Sequence, residues 1–335
     1  MAHQGTINLA ILGAGRIGRV HAKAISGNDR AVLAAISDPV KDVANDVAAQ
    51  FATVARGVDE IIADPAIDAV VICTPTDLHA DQIEMCARAG KAIFCEKPID
   101  LDAGRVRACL SVVEDCKATL MVGFNRRFDP HFMELKAAID DGRIGTPEMG
   151  VITSRDPGAP PADYIRRSGG IFRDMMIHDF DMAVFLMGGL PETVMASGSV
   201  LTDPDIEQLG DYDSATAILR WADGRQLAIS NSRRAVYGYD QRIEIHGSHG
   251  MASAQNEYPV NIEIATAAGY TRPPLHDFFM TRYVAAYANE IDAFIASMSA
   301  KQSSIPTGQD GLNALLIADA ALQSSQSGQA VTIFS

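Results

Sequence analysis

The stretch Gly13-Ala-Gly15-Arg-Ile-Gly18 constrains the fold of this chain more than any other. It follows an apolar run, Ile7–Leu12, and opens a helical pattern over Ile17–Ile25. That strand–turn–helix setting is the one such a glycine spacing requires. The first glycine makes a tight turn, the second admits a pyrophosphate to the backbone, and the third lets helix and strand pack closely. Gly13, Ala14, Gly15, Arg16, Ile17 and Gly18 are therefore assigned to a dinucleotide, whose phosphates meet the N–H groups and partial positive charge of the helix start. Asp38 ends a second strand, Val32–Ser37. From there a carboxylate holds the ribose hydroxyls.

The alternation continues through a helix over Val43–Phe51, a strand Ala69–Cys73 and a helix near Ala80–Ala89. A strand Ala92–Cys95, a helix near Ala103–Cys116 and a strand Thr119–Phe124 complete it. Continuous apolar strands joined by helices predict a parallel, doubly wound α/β sheet of the Rossmann type, covered on both faces, over residues 1–125. Beyond that point the rhythm changes. Asp129-Pro130 reads as an N-cap followed by proline at the first helical position, opening a helix to about Ile139. Ala222-Asp-Gly-Arg225 joins Ala215–Trp221 to Gln226–Ser230, and Gly247-Ser-His-Gly250 joins Ile243–His246 to Met251–Ala254, as two hairpins. Helical patterns near Tyr283–Met298 and Gly311–Ser324 and a strand Ala330–Phe334 close the chain. Residues 126–335 are thus expected to form one α+β domain with a large, open, mostly antiparallel sheet.

Composition removes several classes of function. A net charge of −14 argues against a nucleic-acid partner, because neutralising phosphates needs clustered Lys and Arg. No apolar run approaches the ~20 residues of a membrane-crossing helix. The start, Met1-Ala-His-Gln-Gly-Thr6, lacks the basic and apolar regions of a signal peptide, so a cytoplasmic protein is expected. The five cysteines, odd in number and without a Cys-x-x-Cys pair, suggest neither a disulfide framework nor a metal centre. They read as reduced thiols packed in apolar segments.

Phe94-Cys95-Glu96-Lys97-Pro98 ends a predicted parallel strand. Ligands bind beyond the carboxyl ends of such strands, which directs Lys97 toward the cofactor crevice. A lysine there, taken alone, is more often a surface residue. More telling is Ser168-Gly-Gly-Ile-Phe-Arg-Asp174-Met-Met-Ile-His178-Asp-Phe-Asp181, read as one mostly apolar helix ending at Gly188-Gly189. In such a helix Asp174, His178 and Asp181 share a narrow stripe. Aligned polar groups on a buried helix must bond one another or a ligand. They form either a structural hydrogen-bond cluster or an imidazole base flanked by carboxylates, as proton removal from an alcohol requires.

The fingerprint at 13–18, Glu96-Lys97-Pro98 and the block from Gly169-Gly170 through Asp174 to His178-Asp179-Phe180-Asp181 resemble the Gfo/Idh/MocA oxidoreductases over nearly the whole chain. Ser154-Arg155-Asp156-Pro157 and Asn231-Ser-Arg-Arg-Ala-Val-Tyr237-Gly-Tyr239 resemble its inositol dehydrogenase branch, from which Asn125 is a departure. The resemblance implies NAD as cofactor and oxidation of myo-inositol to its 2-keto form. It implies Lys97, Asp174 and His178 as the catalytic group, with Asp181 orienting the stripe. Thr74, Pro75, His79, Glu96 and Lys97 would complete the cofactor contacts, and Asn125, Asp156, Tyr237 and Tyr239 would join the catalytic group around a small polyol. It further implies a homo-oligomer, a dimer or tetramer, built on the open sheet. Another cyclitol or a pyranose remains an alternative substrate, and Arg126, Arg127 or Arg155 turned inward would favour a sugar acid or phosphate. A ligand-sensing protein without catalysis is the remaining class, which the presence of Lys97 and His178 disfavours.

Overall fold

In the computed structural model, which describes residues 6–299 and 304–334, the fingerprint lies where the sheet changes direction. Five parallel strands, β1 (Ile7–Leu12), β2 (Ala31–Ser37), β3 (Ala69–Ile72), β4 (Ala92–Cys95) and β5 (Leu120–Val122), stand in the order β2-β1-β3-β4-β5. Strand order therefore reverses between β1 and β3, and the crevice at such a switch point is where ligands bind. Helices α1 (Arg16–Ser26), α2 (Lys41–Gln50), α3 (Val58–Ala63), α4 (His79–Arg88) and α5 (Ala103–Asp115) make the crossovers. Every residue of β3 is buried, as a strand covered on both faces must be. Only α3 is unanticipated: it is six residues long, too short to show a helical period. Four cysteines are buried here, but Cys116, which follows α5, is exposed; the expectation that all five pack inside is corrected at that position.

Among the described residues, this first compact unit holds those up to Phe128 and also Ala285–Leu312. The sequence reading had ended it at residue 125 and assigned everything later to the second domain. The returning segment is core. Ile291, Phe294 and Ile295 pack with Leu9, Ile11, Val71 and Phe94, and Asn289 Nδ2 donates to the Phe128 carbonyl at 3.0 Å. Periodicity reveals that a helix has an apolar face, not which sheet that face covers.

The second unit, Asp129–Val284 with the residues from Asn313 onward, is built on a seven-stranded sheet. Its strands are β6 (Pro147–Arg155), β7 (Thr193–Ser199), β8 (Ser214–Arg220), β9 (Gln226–Ser232), β10 (Asp240–Gly247), β11 (Gly250–Ala254) and β14 (Val331–Thr332). They stand in the order β11-β10-β6-β9-β8-β7-β14. Both expected hairpins form, β8–β9 and β10–β11, and the central β6–β9 pair alone is parallel among these strands. A separate small hairpin joins β12 (Ile264–Thr266) to β13 (Gly269–Thr271). Helix α6 (Pro130–Asp140) starts as expected, with the Asp129 carboxylate accepting from the His131 and Phe132 N–H groups. Helices α7 (Ala162–Ser168), α8 (Gly170–Asp174), α9 (Ile177–Met187), α10 (Asp205–Gln208) and α11 (Phe279–Arg282) follow, then α12 (Val284–Ser297) and α13 (Gly308–Ser327). No helix of the described residues is long and apolar enough to cross a membrane. The extreme N-terminus, read for a signal peptide, lies outside the described residues apart from Thr6.

Candidate active site

At the crevice, Gly13 adopts a φ of +98°, and a Cβ there would lie 2.5 Å from the Cys73 carbonyl oxygen after β3. A Cβ on Gly18 would lie 1.9 Å from the Gly13 carbonyl oxygen. These two glycines are demanded by the protein's own packing. Gly15 is not: a Cβ there would meet nothing within 4 Å, which leaves open space at the start of α1. Asp38 Oδ2 accepts from the Ala14 N–H at 2.9 Å, and Oδ1 accepts from the Val40 N–H at 2.9 Å. The carboxylate therefore fastens the glycine turn to the end of β2 while facing the crevice.

The end of β4 is organised differently from the sequence expectation. Lys97 is half-buried and follows Glu96, whose carboxylate turns inward and meets His21 Nε2 on α1 at 2.7 Å. His79 was expected at the cofactor. It is instead buried, with Nδ1 2.8 Å from the Pro98 carbonyl and Nε2 2.7 Å from the Thr74 carbonyl. It braces the ends of β3 and β4 against each other. Burial pushes its imidazole pKa below the ordinary value, against the two carbonyls that favour the protonated ring. Thr74 donates through Oγ1 to Gln82 at 2.6 Å, and Pro75 is exposed beside it.

The block around Asp174 and His178 is two helices rather than one. Gly169 and Gly170 both take left-handed φ values, 83° and 82°, and α8 ends at Asp174. The chain breaks at Met175–Met176, and His178 lies in the first turn of α9, which ends at Gly188 as expected. A single stripe through Asp174, His178 and Asp181 is thereby corrected. Asp174 is held from two sides: Tyr164 on α7 donates to its Oδ1 at 2.7 Å, and Arg233 Nη1 lies 3.7 Å from its Oδ2. Arg233 is itself buried and bonds Asp211 at 3.1 Å. Asp211 accepts the Ile171 N–H at 2.8 Å and fills the space a Gly170 side chain would need. Asp179 docks α9 on the sheet: it accepts from Ser154 Oγ at 2.6 Å and Asn231 Nδ2 at 2.8 Å.

Asn125 is buried and Asp156 half-buried. Ser154 points to the helix-covered face of the sheet, so Arg155 points to the other. Tyr237, 45% exposed, accepts from Arg155 Nη1 at 3.1 Å and donates to Asp240 at 2.7 Å. Burial, with the Asp240 charge, raises its phenol pKa. Tyr239 is buried with its ring edge-on to Tyr283 and Phe278.

Residues 7–124 match the oxidoreductase family with an NAD-binding Rossmann fold, and residues 132–253 match the GFO/IDH/MocA C-terminal domain. The chain belongs to the GFO/IDH/MocA oxidoreductase family. Within it, the chain is 63% identical to the inositol 2-dehydrogenase of Rhizobium meliloti, over 98% of this chain and 99% of that protein. It is 41% identical to the myo-inositol 2-dehydrogenase of Thermotoga maritima, over 98% of each. Its structure superposes with a TM-score of 0.91 on scyllo-inositol dehydrogenase from Lactobacillus casei, solved with NAD(H) and scyllo-inositol bound. That match has 30% identity and covers 98% of this chain and 100% of the other.

As a GFO/IDH/MocA oxidoreductase, the chain offers a site that fits a dinucleotide on structural grounds. The N-cap of α1 is Gly15, so no side chain caps the helix start, leaving its dipole and amide array directed at a ligand. The space at Gly15 is open, and the Asp38 carboxylate bonds the N–H of the neighbouring Ala14. Sequence reasoning missed Tyr164, Asp179, Asp211 and Arg233. Nothing in the spacing of Asn231-Ser-Arg-Arg reveals that Arg233 is buried against Asp174.

Proposed function

We propose that this protein is an NAD-dependent inositol 2-dehydrogenase, which oxidises the C2 carbinol of myo-inositol to a ketone. The observation that carries the reading is the Asp174 carboxylate, locked by Tyr164 and faced by Arg233, immediately before the break that precedes His178. Bound NAD supplies the hydride acceptor. His178 takes the alcohol proton, and Lys97 donates a hydrogen bond to the reacting oxygen. Asp174 accepts from a substrate hydroxyl. Asn125 and Asp156 add further polar contacts to the polyol. The placement of two of the three arginines supports a neutral substrate: Arg127 pairs with Asp310 at 2.9 Å, and Arg155 lies on the opposite sheet face with Tyr237, while Arg126 is buried.

The test is a panel of cyclitols, pyranoses, sugar acids and open-chain alcohols, followed by absorbance of reduced NAD. Myo-inositol is expected to turn over best, glucose-like pyranoses weakly, and open-chain alcohols and 2-hydroxy acids hardly at all. Preference for scyllo-inositol would move the assignment to another cyclitol; a sugar acid preferred to both would overturn it.

We also propose that the uncovered face of the seven-stranded sheet joins copies of this chain. Met149 and Val151 on β6, Met195 on β7, Ile218 on β8 and Met251 on β11 stand half-exposed there. A run of apolar side chains across neighbouring strands is the mark of an interaction face. Light scattering at micromolar concentration is expected to give a dimer or tetramer, and Val151→Glu with Ile218→Glu to reduce that mass. A monomeric wild type would refute the proposal.

A further inference from the structure

Beneath Lys97 lies a buried polar cluster that no step above uses. His21 on α1 and Glu290 on α12 are wholly buried, while the Glu96 side chain retains 13% exposure. Glu96 Oε1 meets His21 Nε2 at 2.7 Å, and Glu290 Oε1 stands 3.9 Å from His21 Nδ1. Neither Glu290 oxygen, nor His21 Nδ1, has a hydrogen-bond partner. The rings of Phe94 and Tyr287 meet the imidazole edge-on, with centroids at 4.9 and 5.6 Å. The Glu96 carboxyl is boxed in on another side by Gly123, where a Cβ would lie 3.2 Å from it.

Three buried ionisable groups in one apolar enclosure cannot all be charged. One arrangement pairs His21 Nδ1 with a Glu290 oxygen and leaves a single charge in the cluster. Glu290 as a carboxylic acid donates its O–H to Nδ1, the neutral imidazole donates its Nε2–H to Glu96, and Glu96 remains the carboxylate. The only charge then sits on the member nearest solvent. Burial, with the Glu96 charge adding to it, pushes the Glu290 carboxyl well above the usual carboxylate range. The neighbouring thiols of Cys73 and Cys95 are pushed up by burial in the same way and contribute no charge. Closing the gap at Nδ1 requires the Glu290 carboxyl to move about 1 Å.

We propose that Glu290 and His21 form a buried relay, carboxylic acid to imidazole to carboxylate, which fixes the orientation of Glu96 and through it the placement of Lys97. Both are positioning residues. The relay ties three elements together: α1, which starts at the fingerprint, β4, which ends two residues before Lys97, and α12, which returns from far along the chain. The competing occupant is a metal ion, since the three side chains can bring ligand atoms within 4.8 Å of one another. The 2.7 Å contact favours the relay, because a nitrogen that donates a hydrogen bond does not ligate.

The inference rests on the proposed role of Lys97 for its kinetic part only. Glu290→Gln keeps an N–H donor for Nδ1, whereas Glu290→Met fills the space without one. With myo-inositol and NAD, Gln is expected to retain kcat within about twofold and Met to lose about tenfold, the scale of one misplaced hydrogen bond. The KM for NAD is expected to stay level in both. Independently of activity, infrared spectra of the whole enzyme at neutral pH should show the C=O stretch of a protonated carboxylic acid, lost in Glu290→Gln. Absence of that band from the wild type, its survival in Glu290→Gln, stoichiometric metal in the purified protein, or equal damage by Gln and Met would each overturn the relay. A wild type that shows the band but leaves inositol untouched would sink the proposed function and leave the buried acid standing.

Discussion

Replacing His178 with alanine is expected to lower kcat by about 10²–10⁴-fold, the range that a positioned general base supplies. NAD binding should change by less than about twofold, because the effect belongs to the transition state and not to cofactor affinity. The substitution alters neither the fingerprint nor Asp38, the residues assigned to the dinucleotide. Lys97→Ala should behave similarly in kcat, since it removes the hydrogen bond to the oxygen on which charge develops. In the wild type, kcat/KM should rise with pH as the imidazole loses its proton and becomes able to accept another. That limb should vanish in His178→Ala. A purely structural His178 gives a different pattern: lower stability, but nearly normal turnover per folded molecule. Single-turnover rates combined with a thermal melt separate the two. A folded His178→Ala enzyme turning over near the wild-type rate would remove His178 from the chemistry.

How far the site could be read from sequence varied with the range of the interactions involved. The fingerprint is local: the glycine positions, the preceding strand and the following helix are neighbours in the chain, and β1 and β4 begin and end where expected. Asp38 was legible because βα units have nearly constant length. The Asp174–His178 block was recognisable as residues but not as geometry. Apolar periodicity runs through Met175–Met176 without a mark, and only the paired left-handed glycines at 169 and 170 hint that the helix there is not continuous. Tyr164, Asp211 and Arg233 converge on this block from separate elements, and one sequence contains no signal for such meetings. The same holds for Glu290, which reads as a polar residue in a helix until α12 is seen to pack into the first unit.

NAD should be preferred to NADP by about two orders of magnitude or more in kcat/KM, on electrostatic grounds. Asp38 Oδ1 and Oδ2 each accept one backbone N–H at 2.9 Å. A carboxylate offers about four acceptor positions, so capacity remains for the ribose hydroxyls. A 2′-phosphate would bring up to about two negative charges to the same carboxylate, with a repulsion of about 4 kcal/mol per pair of unit charges at ~4 Å and an effective dielectric near 20. Rotation and counterions reduce this, which is why about two orders are expected rather than the full Coulomb figure. Arg16, exposed at the first position of α1, is the cation placed to soften the effect; Lys41, exposed at the start of α2, is the other near Asp38 in sequence. Asp38→Asn tests the cause, because the amide keeps one acceptor for the backbone and removes the charge. It should narrow the preference to about tenfold or less while raising the KM for NAD, since the tie to Ala14 or Val40 is weakened. Comparable wild-type efficiency with both cofactors would refute the charge argument outright. Full discrimination persisting in Asp38→Asn would locate its source in the shape of the crevice instead of in the carboxylate.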